Sequence, residues 1–581
     1  TALDRVVSDV VVIDRHRIRA SSADSIEDLL RREGGMQMSR TGGPGQSAGI
    51  QIRGSSSSST LVLIDGVRVG SATLGQTDLA TVSLAQVERI EIMRGPGSSL
   101  YGADAIGGVV NIVTRRGDGA PYLRGNLAGG NHASGEGYVA LSGSDAGFDY
   151  ALSASGETSN GVSALRPGDQ FGNYNPDDDG FSRYGLTLAG GYSWQKGQRV
   201  GLSVTASKLR SQFDSAEFLP PNFLPDPSPD FRNRLAAQLT ALDYQGTLSS
   251  EWAALLRASY QTEQLESGAN VISAYDTTRR QFTAQATWTP SAQHQVVGAV
   301  DLLTESIHSS EYAAPERDNT GLTVGYTGRF GAQKLQADLR WDHNSVYDNQ
   351  TTGKLGSGMN LSDAWSLRAV AGTAFRAPTF NDLYFPGYGV ATLQPERSRS
   401  IEAGVDYKAD TTSVNATAYY NKVSDLIGWQ PDPNQCPPGL PFGCAGNTAR
   451  ALLQGITMQG LQQWGQFQFT LALDWLNAKD RDTDATLPRR AANQQTFAVD
   501  WNEGPWQLGG TVLRVSQRPD GGALLSAYAL LNLNARWRFE RFWQLEARLQ
   551  NATDRDYQPA RDYQDVGRQV WIGLRYDGKG L

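Results

Sequence analysis

Along most of the chain, apolar and polar residues trade places one by one. In residues 531–539, Leu531, Leu533, Ala535, Trp537 and Phe539 share one face and Asn532, Asn534, Arg536 and Arg538 the other. Residues 543–550 set Trp543, Leu545, Ala547 and Leu549 against Gln544, Glu546, Arg548 and Gln550. Residues 335–342 set Leu335, Ala337, Leu339 and Trp341 against Gln336, Asp338, Arg340 and Asp342. Side chains of a strand point alternately to its two sides, so each stretch predicts a strand with one apolar and one polar face. A single such segment fits a half-buried strand of a soluble sandwich equally well. Repetition over several hundred residues predicts a membrane barrel, in which lipid-facing and lumen-facing positions alternate. The mean hydropathy of -0.41 agrees, because only every second residue meets lipid. No apolar run approaches the roughly 18 residues that a spanning helix needs. Roughly 460 residues follow position 119, which at ~20 per strand and connection gives about 22 antiparallel strands, a size associated with a plugged lumen.

The first 119 residues read differently. Their β-branched and leucine runs, Leu61-Val-Leu-Ile64 and Val109-Val-Asn-Ile-Val113, are broken by glycines where the backbone must turn or pass close to another segment. Ser22 is placed to cap a short helix with Asp24, Glu27 and Asp28 in its first turns and Arg31 and Arg32 in its last, which leaves Ile26, Leu29 and Leu30 on one face. Residues 4–8 (Asp4-Arg-Val-Val-Ser8) read as a first strand. The predicted fold is therefore an all-β transmembrane barrel, residues 120–581, with an N-terminal α+β plug domain, residues 1–119, inside its lumen. Two polar, small-residue loops, residues 39–49 and 70–83, interrupt the plug.

Candidate chemistry is sparse. Gly42-Gly-Pro-Gly-Gln-Ser47 has no lysine followed by Ser or Thr, so it is not a phosphate-binding loop. A net charge of -8 offers nucleic acid no broad basic surface. The five histidines, His16, His132, His294, His308 and His343, are scattered, with neither metal spacing nor a nucleophile motif beside them. The chain is read as a protein that is not an enzyme.

The plug wording is distinctive: Arg53-Gly54, Ile64-Asp-Gly66, Arg94-Gly-Pro96, and Tyr101-Gly102 running into Gly107-Gly-Val-Val-Asn-Ile112. In this combination and order the segments resemble the plug of TonB-dependent outer-membrane transporters. Within that family the resemblance is nearest to the cobalamin (vitamin B12) transporters. It rests on the short barrel and on Asp28-Leu-Leu-Arg-Arg32, Leu61-Val-Leu-Ile-Asp-Gly-Val-Arg68, Val423-Ser-Asp-Leu-Ile427 and Gln550-Asn-Ala-Thr-Asp-Arg-Asp-Tyr557. The resemblance implies active import across the bacterial outer membrane. Ligand docks on the plug apices and outer loops, and the inner-membrane protein TonB, with ExbB and ExbD, supplies the pull. It implies a monomer surrounded by lipid and lipopolysaccharide, with phage or bacteriocin docking as a secondary use. Aligned on residues 25–32, the TonB-binding segment falls ahead of Thr1, so the coupling is an expectation.

By place in the family, the implied substrate contacts are Ser39, Arg40, Thr41, Gln46 and Ser47 in the first loop, Thr73, Leu74 and Gln76 in the second, and Phe213 in the barrel. Asp177-Asp-Asp-Gly-Phe181 matches a family loop whose carboxylates bind calcium, which implies Asp177, Asp179, Asp214 and Asp230 as ligands. Calcium takes roughly six to eight oxygens, so the triplet alone cannot complete a site, and a solvated acidic loop is the plain alternative. Ser163 stands where the family has an aspartate and Phe213 where it has a tyrosine. The alternative ligand class is a ferric siderophore. Haem is the lesser rival: Phe375-Arg-Ala-Pro378 and Leu393-Gln-Pro-Glu396 resemble a motif pair of haem receptors, yet residues 379–392 and both apical loops hold no histidine to ligate iron. In the oxidising compartment so implied, Cys436 and Cys444 are expected to form a disulfide, worth roughly 2 to 3 kcal/mol on the chain-entropy estimate. A last alternating strand (Val570, Ile572, Leu574, Tyr576) is followed by residues 577–581, past the aromatic on which family members usually finish.

Overall fold

The computed structural model describes residues 6–579 apart from 22, 24, 220, 221, 223, 227 and 228. After the plug, 22 antiparallel strands close into one barrel, the last (Gln569–Lys579) pairing with the first (Tyr122–Gly130). The period-two stretches are barrel strands with the expected faces, save that the one predicted over 531–539 ends at Trp537 and leaves Arg538 exposed. Leu339 is 60% exposed, while Arg340 and Asp342 beside it are 3% and 1% exposed, because the outer face is left for lipid and the plug fills the lumen. Exposed tryptophans ring the short-turn ends: Trp252 and Trp288 stack at 6.0 Å, Trp506 and Trp537 at 5.5 Å. Tyr260 is also exposed, 8 residues beyond Trp252 on one strand, or about 26 Å along a tilted path. That spacing suits aromatic belts at the two edges of an apolar band. No helix of the described residues is long and apolar enough to cross a membrane.

Seven strands build the plug: β1 (Asp9–Ile13), β2 (Met36–Arg40), β3 (Ala48–Ile52), β4 (Thr60–Ile64), β5 (Val67–Arg68), β6 (Val87–Arg94) and β7 (Gly108–Thr114). Five form a sheet in the order β1-β6-β7-β4-β5, with β4 and β7 parallel, and β2 pairs with β3 as a separate hairpin. Helices α1 (Arg15–Ala20) and α2 (Ile26–Arg31) cover the sheet. Ile26, Leu29 and Leu30 are buried with Ile52, Val62, Ile90, Ile92, Val110 and Ile112. The plug's last strand ends at Thr114 and the barrel's first begins at Tyr122.

Two local expectations are corrected. The first strand is Asp9–Ile13, and residues 6–8 precede it; Asp4 and Arg5 lie outside the described residues. Helix α2 starts at Ile26, and Ser25 is its cap, its side chain accepting from Asp28 N at 3.2 Å. Ser22 and Asp24 lie outside the described residues. Both serines suit a cap chemically; burying Ile26 against the sheet sets the start. At the C-terminus the last strand runs on through Asp577 to Lys579, and Asp577 accepts from the Tyr122 hydroxyl at 2.5 Å.

One flank of the plug is fixed to the wall by buried charges. Asp9 pairs with Arg53 at 2.6 Å, Arg94 at 3.0 Å and the wall residue Arg368 at 3.5 Å, and Arg53 also reaches the wall residue Glu402 at 3.0 Å. Burial raises the Asp9 carboxyl, yet the Arg94, Arg368 and Arg53 guanidiniums outweigh it and hold the group well below the usual range. Gly95 follows directly. Its φ of +89° is open to glycine, and a Cβ there would lie 1.9 Å from Glu402 Oε1. The Arg53-Gly54 and Arg94-Gly-Pro96 motifs are thus the plug's half of this lock.

Candidate functional site

Hairpin β2–β3 lifts the first apical loop, residues 41–47, and the chain between β5 and β6 lifts the second, residues 70–78, toward the long-loop end of the barrel. Their tips meet. Gln76 Nε2 lies 3.5 Å from Ser47 Oγ, and Gln76 Oε1 accepts from Ser57 Oγ at 3.0 Å. Ser47 is exposed, Leu74 is 47% exposed and Gln76 is half-buried, so these three offer a surface. Ser39 and Thr41 are half-buried beside them. The other predicted contacts hold the loops instead. Arg40 pairs with Asp565 at 2.7 Å and Glu27 at 3.4 Å. Buried Gln46 donates to the Gln212 carbonyl, and buried Thr73 shares a 2.7 Å hydrogen bond with Ser71. Gly45 has φ +84°, and a Cβ there would run into the Phe181 ring, so the loop lies hard against the barrel.

The second loop carries a barrel element on its side. Helix α3 (Ser98–Tyr101) belongs to the plug, and helix α4 (Phe380–Tyr384) lies in the long loop 377–395. In α4, Phe380 N donates to Ala72 O at 3.1 Å and Asn381 N to Thr73 O at 3.3 Å. A reciprocal cap between Thr379 and Asp382 starts the helix. Tyr312 lies 6.5 Å from Tyr384 and 6.4 Å from Phe385, its hydroxyl donating to Asn381 Oδ1 at 2.7 Å. An aromatic group is thus joined through α4 to the second apical loop. The motif pair around it holds the wall together. Arg376 binds Glu396 at 3.0 Å and Asp382 at 3.3 Å, and Glu396 accepts from Ile427 N at 3.0 Å and from Ser59 of the plug at 3.4 Å.

Of the four predicted calcium ligands, three come together. Carboxylate oxygens of Asp177, Asp179 and Asp214 lie within 4.8 Å of one another, with Asp179 and Asp214 buried. Burial first, then the Asp214 and Asp177 charges, push Asp179 up to about 7 against the pull of the Ala164 N–H; burial also raises Asp214. Ser163 stands at the same place, donating to Asp214 Oδ2 at 3.0 Å. Asp230 is apart: Arg232, two residues on, takes its carboxylate at 2.6 Å, and Gln212 donates to it at 3.3 Å. Phe213 packs on Phe231 with ring centres 5.4 Å apart.

Sequence reasoning marked residues 550–557 only as part of the resemblance and missed what the loop of residues 551–568 does. It closes over the first apical loop and the 160–180 loop through Asp565 to Arg40, Asp556 to Arg166, and Gln564 Nε2 to the Ser163 carbonyl at 2.7 Å. These partners are hundreds of residues apart, and no local pattern announces them. The loop of residues 431–443, between two barrel strands, is closed by the Cys436–Cys444 disulfide with Cα atoms 5.8 Å apart.

Comparison with known proteins gives a consistent result. The TonB-dependent receptor-like β-barrel pattern matches residues 118–552, and the TonB-dependent receptor plug domain matches residues 2–109. The chain is 29% identical to the vitamin B12 transporter BtuB of Photobacterium profundum, over 99% of this chain and 93% of that one. It is 27% identical to the BtuB of Vibrio vulnificus, over 98% and 92%. In fold it resembles the siderophore receptor PirA from Acinetobacter baumannii, with a TM-score of 0.82, 17% identity and 98% of each chain covered. A ferric enterobactin receptor (PfeA) mutant from Pseudomonas aeruginosa gives 0.83, 17% and 98% of each chain.

Proposed function

The chain belongs to the TonB-dependent receptors, plugged barrels of the bacterial outer membrane that transport and are not enzymes, and from that premise we propose that its ligand is cobalamin. The observation that carries this reading is the 29% identity to a vitamin B12 transporter along nearly the whole chain. The vestibule is compatible with it. Ser47 and Gln76 offer hydrogen bonds to a ligand edged with amides, and Leu74 with the Tyr312, Tyr384 and Phe385 group offers apolar area to its flat face.

Calcium is part of the same proposal. Three carboxylates held together repel one another, and a divalent cation would remove that repulsion. Asp177, Asp179 and Asp214 would hold it, and Ser163 and the Ala164 and Leu165 N–H groups already orient the two buried carboxylates. Bound there, calcium supplies positive charge that ties the 160–180 loop to the strand end at Asp214. Asp230 is left out of this set because Arg232 neutralises it. Energy for import would come from the inner membrane through TonB, since the sequence has no nucleotide-binding loop.

The test is uptake in cells that lack their own cobalamin transporter. With this chain they are expected to accumulate labelled cyanocobalamin, and to stop when the proton gradient is collapsed. Accumulation of a ferric siderophore, with no cyanocobalamin taken up, would overturn the assignment.

A further inference from the structure

The flank of the plug away from the Asp9 lock is parted from the wall by three voids in series, each sharing lining residues with the next. The outermost lies beneath Pro44 and Gly45 and reaches His132 and Asn551. It shares Ala80, Glu157 and Arg183 with a deeper chamber. That chamber shares Arg19 with a third void, lined by Arg15, Tyr122 and Ser142 where the plug leaves the barrel. Together the three run the length of the wall built from the first four and last three strands. Arg183 donates to the Ala80 carbonyl at 3.0 Å, and this crossing divides the outer void from the chamber.

The middle chamber carries an excess of positive charge. Its lining includes Arg19, Arg115, Arg183, Arg536, Arg548 and Arg575, faced by Glu136, Glu157 and Glu546. Each glutamate already has a cation: Glu157 has Arg183, Glu136 has Arg548 at 2.5 Å, and Glu546 has Arg536 at 3.6 Å. Arg115, just past β7 on the plug, is 8% exposed, and its Nε and Nη1 have no hydrogen-bond partner among the described residues. A buried guanidinium with unmet donors beside a cavity is costly to leave so, and it favours an oxyanion that takes two of its N–H groups at once.

We propose that this seam is the passage by which ligand crosses the plug, and that the Arg115 chamber receives the ligand's anionic oxygen group. The proposal rests on the import reading. For cobalamin the group is the phosphodiester of its nucleotide arm. For another ligand it is a carboxylate or similar oxyanion. The outer vestibule captures the ligand, and the chamber holds it once the plug has given way on this flank.

Two measurements test this. In cells, surface binding without energy and uptake with energy are compared for cyanocobalamin and for cobinamide, which lacks the phosphodiester. Arg115→Gln is expected to leave surface binding of both unchanged, to lower cyanocobalamin uptake about tenfold, and to spare cobinamide, with Arg115→Lys recovering most of the loss. Unchanged cyanocobalamin uptake, or an equal loss for both ligands, overturns the proposal. Absence of surface binding in the unmutated protein is a failure of the cobalamin reading alone. The chamber is then judged on crystals of the purified protein soaked in tungstate, an oxyanion with an anomalous signal. Tungstate at Arg115 in the unmutated protein and not in Arg115→Gln supports the proposal, and a chamber without tungstate overturns it.

Discussion

The two flanks of the plug meet the wall by opposite means. Around Asp9, acids and guanidiniums of plug and barrel are buried against one another at 2.6 to 3.5 Å. About half the barrel's strands away, the plug faces three voids in series, the middle one rich in arginines. Buried pairs are desolvated, so losing one partner strands a charge in a medium that cannot solvate it. On the seam the chamber's ion pairs, Glu157–Arg183, Glu136–Arg548 and Glu546–Arg536, join wall residue to wall residue and do not tie the plug down. A plug attached in this way is held on one flank while it yields on the other, and it need not leave the barrel to let a ligand pass.

The largest expected effect breaks the held flank. Asp9→Ala strands Arg94 and takes a shared carboxylate from Arg53 and Arg368, which keep Glu402 and Asp406, and should loosen plug seating by about 3 kcal/mol. The expected readout is ion conductance through single barrels in planar bilayers; a variant as tight as the unmutated protein contradicts the lock. Next comes the roof of the seam, where the acidic trio steadies the loop of residues 160–180. Millimolar calcium should raise the melting temperature, by the equivalent of about 2.7 kcal/mol if calcium stands at 100 times its dissociation constant. The rise should vanish in Asp177→Ala/Asp179→Ala, and an equal rise in that double variant would place calcium elsewhere.

Smaller effects sharpen the contrast. Thr379→Ala removes one half of the reciprocal cap on α4, which rests on the second apical loop, and should cost about 1 kcal/mol on a denaturation curve. The same substitution should weaken ligand binding only to the extent that Leu74 moves, and ligand titration checks this. The smallest effect lies on the seam side. Asp78, N-cap of a short turn at Leu79–Thr81, is pushed up to about 7 by burial and by Glu27 and Glu263, against the Ala80 N–H and Arg183. Its folded value thus lies above the unfolded one of 3.8, so the stability it contributes is present at low pH and is lost as pH rises through about 7. Asp78→Asn should raise the plug's melting temperature by a few degrees at pH 8 and not at pH 4, as scanning calorimetry would show.

Much of this architecture was legible in the chain itself. Arg340 and Asp342, alternating with Leu339 and Trp341, reveal an inward polar face, because a strand's period of two is a local property. The plug's glycine motifs were legible as wording, although the reason for Gly95, the approach of Glu402 from the wall, is a distant contact. What the sequence hid depends on distant partners. Ser25 and Ser22 are equivalent as caps until the sheet fixes where Ile26 is buried. Arg40 reads as an exposed contact until Asp565, 525 positions on, takes its charge. Asp230 looks like a fourth ligand until Arg232 folds back on it. The seam has no sequence signature, because its arginines come from the plug and four separate barrel strands.

The most direct test of the central claim is calorimetric titration of detergent-purified protein with cyanocobalamin, in millimolar calcium and again with chelator, beside a panel of ferric siderophores. The account predicts saturable cyanocobalamin binding that weakens when calcium is removed. Binding of a ferric siderophore, with no heat from cyanocobalamin in calcium, would contradict it.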